Sequence, residues 1–326
     1  MEQINCLLCD NSEYRPIIRG RDRLLGLPGE FTVVECRKCG LRFTNPRPSM
    51  DELAYYYPEN YGPYKVYLSD SDSQDDTLLE RFKTRLKQLP LASFMKKLNN
   101  PRLTFIPNLP DGAKVLELGC ATGWFLNDLH KNHWDLYGVE LSKTSATYAR
   151  EELGLNVFCG TLEGACFPSN YFDAIFAWHV IEHLPNPLGT LKEMNRVLKK
   201  DGYFVFSAPN VGCWEFYVFK SKWYALDLPR HLFHFSVKSI NKVLKAGNFR
   251  LEKVFYQKNI NNIVGSLAYC LEDAVGENSV SKYLRTHPQS NNRLSRLFSK
   301  SLAIFLSIIR QGGRMTLVCR GEKYHT

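Results

Sequence analysis

Four cysteines stand in two matching pairs, Cys6-Leu-Leu-Cys9 and Cys36-Arg-Lys-Cys39, separated by 26 residues, with Gly40 after the second. A CxxC turn puts two thiolates on one tight knuckle, and two knuckles supply the four soft ligands of a tetrahedral zinc. The segment Glu30-Phe-Thr-Val-Val-Glu35 alternates well enough to be a strand entering the second knuckle. With all four positions filled by protein, such a zinc is structural rather than catalytic. Histidines form the second group. His179 and His183 follow an apolar run with Glu182 between them, and His231 lies in Trp223-Tyr-Ala-Leu-Asp-Leu-Pro-Arg230-His231-Leu-Phe-His234. Imidazole titrates near neutral pH, so these are the natural proton acceptors. Stabilising the turn after a strand is the alternative for His179 and His183, because buried histidines are commonly hydrogen-bonded core residues.

A third pattern suits a cofactor. The run Glu117-Leu-Gly119-Cys-Ala121-Thr-Gly123 follows a predicted strand, and glycines there let the backbone turn sharply and approach a ligand closely. A dinucleotide fingerprint would need glycine at 119, 121 and 124. Ala121 and Trp124 break it, so the loop suits a cofactor that brings no pyrophosphate to the helix terminus. Glu140 stands 21 residues beyond Gly119, where a carboxylate can accept from both hydroxyls of a ribose.

These residues need elements to position them. From Asp111 short apolar strands alternate with helices. The predicted strands are 114–119, 135–140, 156–159, 172–178, 203–207, 250–256 and 315–319. The predicted helices are 124–132, 143–153, 188–199 and 237–246. Such alternation means a mostly parallel sheet with both faces covered, and ligands beyond the carboxyl ends of its strands. Between the strand ending at Ser207 and the helix from Val237 runs a connection of some 28 residues, a length usually kept for function. Before Asp111, an Asn45-Pro-Arg-Pro-Ser stretch, a Tyr-rich segment (55–64), an acidic stretch (69–76) and a helix-spaced stretch (77–99) form a cap or linker. The organisation read from this is 1–45 zinc ribbon, 46–104 cap and linker, and 105–326 main domain with inserts at 210–235 and 258–314.

Composition narrows the partners. The chain has 326 residues with a net charge of +9, and 13% aromatic residues exclude general disorder. The longest apolar run, Leu302 to Ile309, falls short of the ~20 residues of a membrane span. The opening MEQINCLLCD has no signal-peptide character, and ten cysteines without an export signal point to the reducing cytoplasm. The segment from Ser281 onward carries nine Lys/Arg against Glu322 alone, +8 of the excess. A phosphorylated substrate, a membrane surface, nucleic acid and a plain solvated basic face all remain open for it. The stretch 293–310 mixes basic and apolar faces; it either packs on the core or makes peripheral contact with the inner surface of an anionic membrane. Oligomeric state is not legible, and the other six cysteines read as scattered core residues.

The runs VLELGCATGWFL (115–126), YGVELS (137–142), FDAIFAWHVIEHLPNP (172–187) and LKEMNRVLKKDGYFVFSAPN (191–210) together resemble the class I S-adenosylmethionine-dependent methyltransferases. The paired CxxC motifs, NPRPS, the Tyr-rich segment and DLPRHLFHFS (227–236) resemble the zinc-ribbon subtype acting on sugars, nucleotide sugars and surface-polysaccharide precursors. The resemblance implies an α/β Rossmann-like sheet with helices on both faces and a small zinc-ribbon domain. It implies S-adenosylmethionine as cofactor. Glu117, Gly119, Ala121 and Gly123 would line its methionine end, Glu140 its ribose, and Leu162 and Trp178 the rest of its site. Ala121 departs from the usual glycine, which should weaken binding or shift the loop. In the sugar C-methyltransferases a Glu-His pair supplies the base; here it is Arg230-His231. His231 is therefore the expected base, with His179 and His183 as further candidates, and Arg230 and Tyr224 are expected to hold substrate, Arg230 through a phosphate or carboxylate. Methyltransferases of base exocyclic amines carry an Asn/Asp-Pro-Pro-aromatic turn where this chain has Trp178-His-Val-Ile, so base N-methylation of that type is not expected; the subtype implies a small-molecule acceptor such as a phosphorylated sugar. RNA methylation and a catalytically silent cofactor-binding module are the alternatives.

Overall fold

The computed structural model describes residues 1–58, 61, 101–286 and 293–323. The acidic stretch, the helix-spaced stretch 77–99 and part of the Tyr-rich segment lie outside the described residues. The chain divides into two compact units, Met1–Pro58 with Leu162–Thr326, and Glu59–Thr161.

The larger unit opens with β1 (Tyr14–Arg21), β2 (Glu30–Cys36) and β3 (Arg42–Thr44), followed by the short helix α1 (Met50–Leu53). In β2 Phe31 and Val33 are buried on one face, as the alternation predicts, and Val34 is buried on the other. The smaller unit contains β4 (Lys114–Leu118), α2 (Trp124–Leu129), β5 (Asp135–Glu140), α3 (Lys143–Glu151) and β6 (Asn156–Cys159). Its strands are parallel in the order β4-β5-β6, with Leu118 opposite Val139 and Glu140 opposite Cys159. Ser142 caps α3 by accepting from the Ser145 amide.

The chain returns to the larger unit with β7 (Phe172–Trp178), α4 (Pro187–Val197), β8 (Leu198–Pro209), α5 (Trp214–Phe219), β9 (Phe233–His234) and α6 (Val237–Ala246). After them come β10 (Phe249–Tyr256), α7 (Asn261–Val275), α8 (Ser279–Thr286), α9 (Arg293–Ile308) and β11 (Arg314–Gly321). Strand β7 is parallel to β8, and the last strand, β11, runs antiparallel between β8 and β10. With three strands in one unit and four in the other, the seven belong to a Rossmann-like α/β fold.

The second sheet of the larger unit is antiparallel, in the order β1-β2-β3-β9. Its fourth strand comes from the long connection after β8: Phe233 pairs with Phe43, and His234 with Arg42. Beneath it, Ile18, Phe31 and Val33 pack with Val211, Phe216, Trp223, Leu226 and Leu228. The small cysteine-bearing sheet and the long connection therefore share one hydrophobic core. Helix α9 packs by one side only: Ala303 and Leu306 are buried, while Ile304, Phe305 and Ile308 are exposed. Among the described residues no helix is long and apolar enough to cross a membrane. Of the six cysteines read as core, Cys120, Cys213 and Cys319 are buried, but Cys166 is exposed because it sits in a surface turn rather than on a strand.

Candidate active site

The four N-terminal cysteines converge. Their sulfurs all lie within 4.8 Å of one another, with Cys6–Cys39 at 3.3 Å and Cys9–Cys36 at 3.6 Å. The sulfur–sulfur edge of a zinc tetrahedron is about 3.8 Å, from Zn–S bonds near 2.3 Å. Both knuckles turn as CxxC motifs do. The amides of Cys9 and Asp10 point to the Cys6 carbonyl, and the Gly40 amide points to that of Cys36. Burial raises the Cys36 thiol, but backbone amides of Cys39 and Lys38 outweigh it and hold it at about 6. None of the ten cysteines is in a disulfide. The donor set, spacing and knuckles fit a tetrahedral metal.

In the smaller unit the loop after β4 is a nest of left-handed residues. Gly119, Ala121 and Gly123 have φ of 67°, 48° and 82°. At Gly123 a Cβ would lie 2.5 Å from Leu155 Cδ1 and 3.1 Å from the Ala149 Cβ, so glycine is required on both counts. Ala121 adopts the turn despite its Cβ, at a cost of about 1 kcal/mol. Its amide donates to Glu140 Oε2 at 2.8 Å, while the Ser142 amide donates to Oε1 at 2.7 Å. Charged acceptors of this kind offset the strain. The shift expected from replacing glycine is thus countered by a carboxylate that fastens the loop. Glu140 is buried, and burial raises its pKa against the pull of the Ser142, Ala121 and Leu141 amides. Glu117 is buried too, with Oε2 lacking any hydrogen-bond partner. Burial pushes it up to about 8, with Arg102 pulling down and Glu140 pushing up. An unpartnered buried carboxylate beside a left-handed amide nest fits a ligand with an ammonium group and ribose hydroxyls.

The larger unit gathers the histidines. His179, with φ 56°, directly follows β7 and places Nδ1 3.1 Å from Glu182 Oε1. His183 Nδ1 lies 3.1 Å from the Arg230 carbonyl and 2.7 Å from the Tyr57 hydroxyl. His231 Nδ1 lies 3.0 Å from the Ala225 carbonyl. A carbonyl only accepts, so the His231 imidazole carries its proton on Nδ1 and its lone pair on Nε2, whereas His183 Nδ1 stands between an acceptor, the Arg230 carbonyl, and a hydroxyl that can donate or accept. The two rings meet edge to face with centroids 4.6 Å apart. Burial and the neighbouring His183, His234 and His179 hold His231 well below the usual histidine pKa. Burial pushes Glu182 up to about 7. The backbone of this cluster is pinned from two sides: the Thr44 hydroxyl donates to the His231 carbonyl at 2.9 Å, and the Leu232 amide to the Glu182 carbonyl at 2.9 Å. Trp178 is buried at the end of β7, stacked on Phe176, and Leu162 is buried as well.

One expectation needs correction. Arg230 holds no substrate anion, because its side chain is fully buried. Its Nη1 and Nη2 donate to Asp22 Oδ2 and Oδ1 at 2.9 and 2.6 Å, and Nε and Nη2 donate to Asp227 Oδ1 at 2.9 and 2.7 Å. It is an internal clamp between the segment after β1 and the long connection. Tyr224, the other expected substrate contact, is half-buried with one side of its ring against α7: a Cβ on Gly265 would come within 2.2 Å of it, and Tyr269 lies 5.7 Å away in a tilted pair. Sequence reading missed Tyr57 and left Glu182 without a role. Tyr57 sits in the segment read as a cap, and only its aromatic crowding pointed there.

A parallel α/β unit whose first strand turns through a left-handed loop faced by a buried carboxylate defines a Rossmann-like cofactor-binding enzyme. The methyltransferase-domain family matches residues 91–254 of the 326, and the chain belongs to that family. The chain is similar to the ubiquinone biosynthesis O-methyltransferase of Actinobacillus pleuropneumoniae, 30% identical over 42% of this chain and 65% of that protein. It is similar as well to the sarcosine/dimethylglycine N-methyltransferase of Aphanothece halophytica, 33% identical over 32% of this chain and 40% of that one. The matched stretch therefore spans less than two thirds of either relative. Among solved structures, a SAM-dependent methyltransferase from Archaeoglobus fulgidus matches with a TM-score of 0.44 and 17% identity, over 75% of this chain and all of that one.

Proposed function

We propose that the protein methylates a hydroxyl group of a small molecule, of the class of sugars, nucleotide sugars or related metabolites. The observation that carries this reading is the buried imidazole of His231, fixed by the Ala225 carbonyl with its Nε2 lone pair left for an acceptor proton, and the half-buried His183 ring set against it. A neutral imidazole held in one tautomer can accept a hydroxyl proton without first losing one itself. S-adenosylmethionine supplies an electrophilic methyl group. Glu140 and the Gly119–Gly123 loop hold its ribose and methionine portions, with Glu117 facing the ammonium. The name of the Actinobacillus relative supports an oxygen acceptor. The sugar class rests on the likeness of the paired CxxC motifs and DLPRHLFHFS to sugar methyltransferases. Purified protein, labelled cofactor and a fractionated cell extract test it: label should enter the sugar and nucleotide-sugar fraction, and His231→Ala should cut incorporation at least a hundredfold, the scale of losing a general base. Label in RNA would overturn the acceptor class.

The four cysteines hold a structural zinc in this reading. Cys36→Ser should leave the protein short of one zinc and lower its melting temperature, because the knuckles order β2 and the core beneath it. A variant with unchanged melting and metal content would remove zinc from the account.

A further inference from the structure

The histidine cluster has a second property that competes with proton acceptance: the same Nε2 lone pairs can hold a cation, and with the cation bound the acceptor proton leaves to solvent instead of to His231. One ligand atom each from Glu182, His183 and His231 lie within 4.8 Å of one another. All are acceptors. Glu182 Oε2 is buried with no hydrogen-bond partner. His231 Nδ1 donates to the Ala225 carbonyl, which leaves its Nε2 a lone pair, and His183 Nδ1 donating to the Arg230 carbonyl beside the Tyr57 hydroxyl leaves its Nε2 one in turn. Asp227 Oδ2 stands 3.9 Å from His231 Nε2, so another acceptor faces an acceptor. The nearby guanidinium of Arg230 is directed at Asp22 and at the other oxygen of Asp227. His179 meets Glu182 through Oε1, not Oε2. A buried polar group without a partner is costly, and a group of converging acceptors is relieved most directly by a cation among them.

The donor types fit such a cation. Two imidazoles and one carboxylate are a recurring set for divalent metals, with further coordination positions left open. The supports behind the rings match as well, since metal-bound histidines donate their other ring N–H to a carbonyl or carboxylate. Here the Arg230 and Ala225 carbonyls serve, and Tyr57 braces the first ring.

We propose that Glu182, His183 and His231 form a divalent-cation site, separate from the four cysteines, whose open position takes an oxygen of the methyl acceptor. Only the identity of that oxygen rests on the function proposed above; the site itself rests on geometry. A hydroxyl bound there becomes more acidic. Its O–H bond breaks with the electron pair left on oxygen and the proton passing to solvent. That oxygen then bonds the methyl carbon while the S–CH3 bond breaks with its pair left on sulfur, and no oxidant is needed.

The test needs no acceptor. Full-length protein is saturated with zinc, desalted and analysed for metal, alongside Glu182→Gln and His231→Gln. The site predicts one zinc fewer per chain in each variant than in wild type, with affinity for S-adenosylmethionine unchanged as the check on folding. In wild type, Mn2+, which thiolates attract poorly, should saturate at one ion per chain by the loss of its free-ion paramagnetic resonance signal. Equal zinc in wild type and Glu182→Gln, or no saturable Mn2+ binding by wild type, would overturn the site whatever the fate of the hydroxyl-methylation reading.

Discussion

Glu140→Ala is expected to weaken binding of S-adenosylmethionine by about 5- to 150-fold, or about 1–3 kcal/mol, the scale of losing charge-assisted hydrogen bonds. Two losses combine. The ribose hydroxyls lose their acceptor, and the loop loses its fastening, because the Ala121 and Ser142 amides both donate to this carboxylate. Ala121 would then hold φ 48° without the bond that offsets its strain. Glutamine should fall between, since one oxygen remains to accept. Calorimetric titration reads the result, and an affinity equal to wild type in the alanine variant would remove Glu140 from the cofactor site.

The second large effect concerns stability. Arg230→Leu is expected to destabilise the protein by about 3–5 kcal/mol, because it strands the Asp22 carboxylate in a fully buried position and takes a partner from Asp227. Lysine should rescue little, for an ammonium cannot match the two-pronged contact with Asp22. Replacing both partners with apolar residues, Asp22→Leu with Arg230→Met, should recover much of the loss. Urea unfolding measures all three. Arg230→Leu with wild-type stability and a raised KM would instead return Arg230 to the substrate site.

The local pattern shows how much could be read in advance. The strands Asp135–Glu140, Asn156–Cys159 and Phe172–Trp178 and the helix Val237–Ala246 fall where apolar periodicity and flanking turn residues put them. The cofactor loop was legible for the same reason: its glycines and its carboxylate lie in adjoining strand–turn units. Strand β8 runs longer than expected, starting at Leu198, because Leu198 and Lys199 continue the helical spacing of 188–199 and the charged Lys200-Asp201 with Gly202 carries no strand alternation. Strand β1 was missed. It is an edge strand with Pro16 at an irregularity in its pairing, which disguises the alternation. Strand β9, two residues long, exists only because it pairs with β3, and nothing local marks it. The misplacement of Arg230 has the same origin. Its partner Asp22 is 208 residues away, and an arginine before a histidine in a long connection reads as a surface anion binder until the fold brings that carboxylate to it. Tyr57 and Glu182 escaped likewise, since their parts depend on rings brought together by the tertiary structure.

The central claim is methyl transfer from S-adenosylmethionine to an oxygen of a small acceptor. Proton–carbon correlation spectroscopy of the product formed from cofactor carrying a 13C methyl group tests it most directly. The account predicts an O-methyl resonance in a small-molecule product, absent when His231→Ala replaces wild type. A methyl group on carbon or nitrogen, or label that stays with a macromolecule, would contradict it.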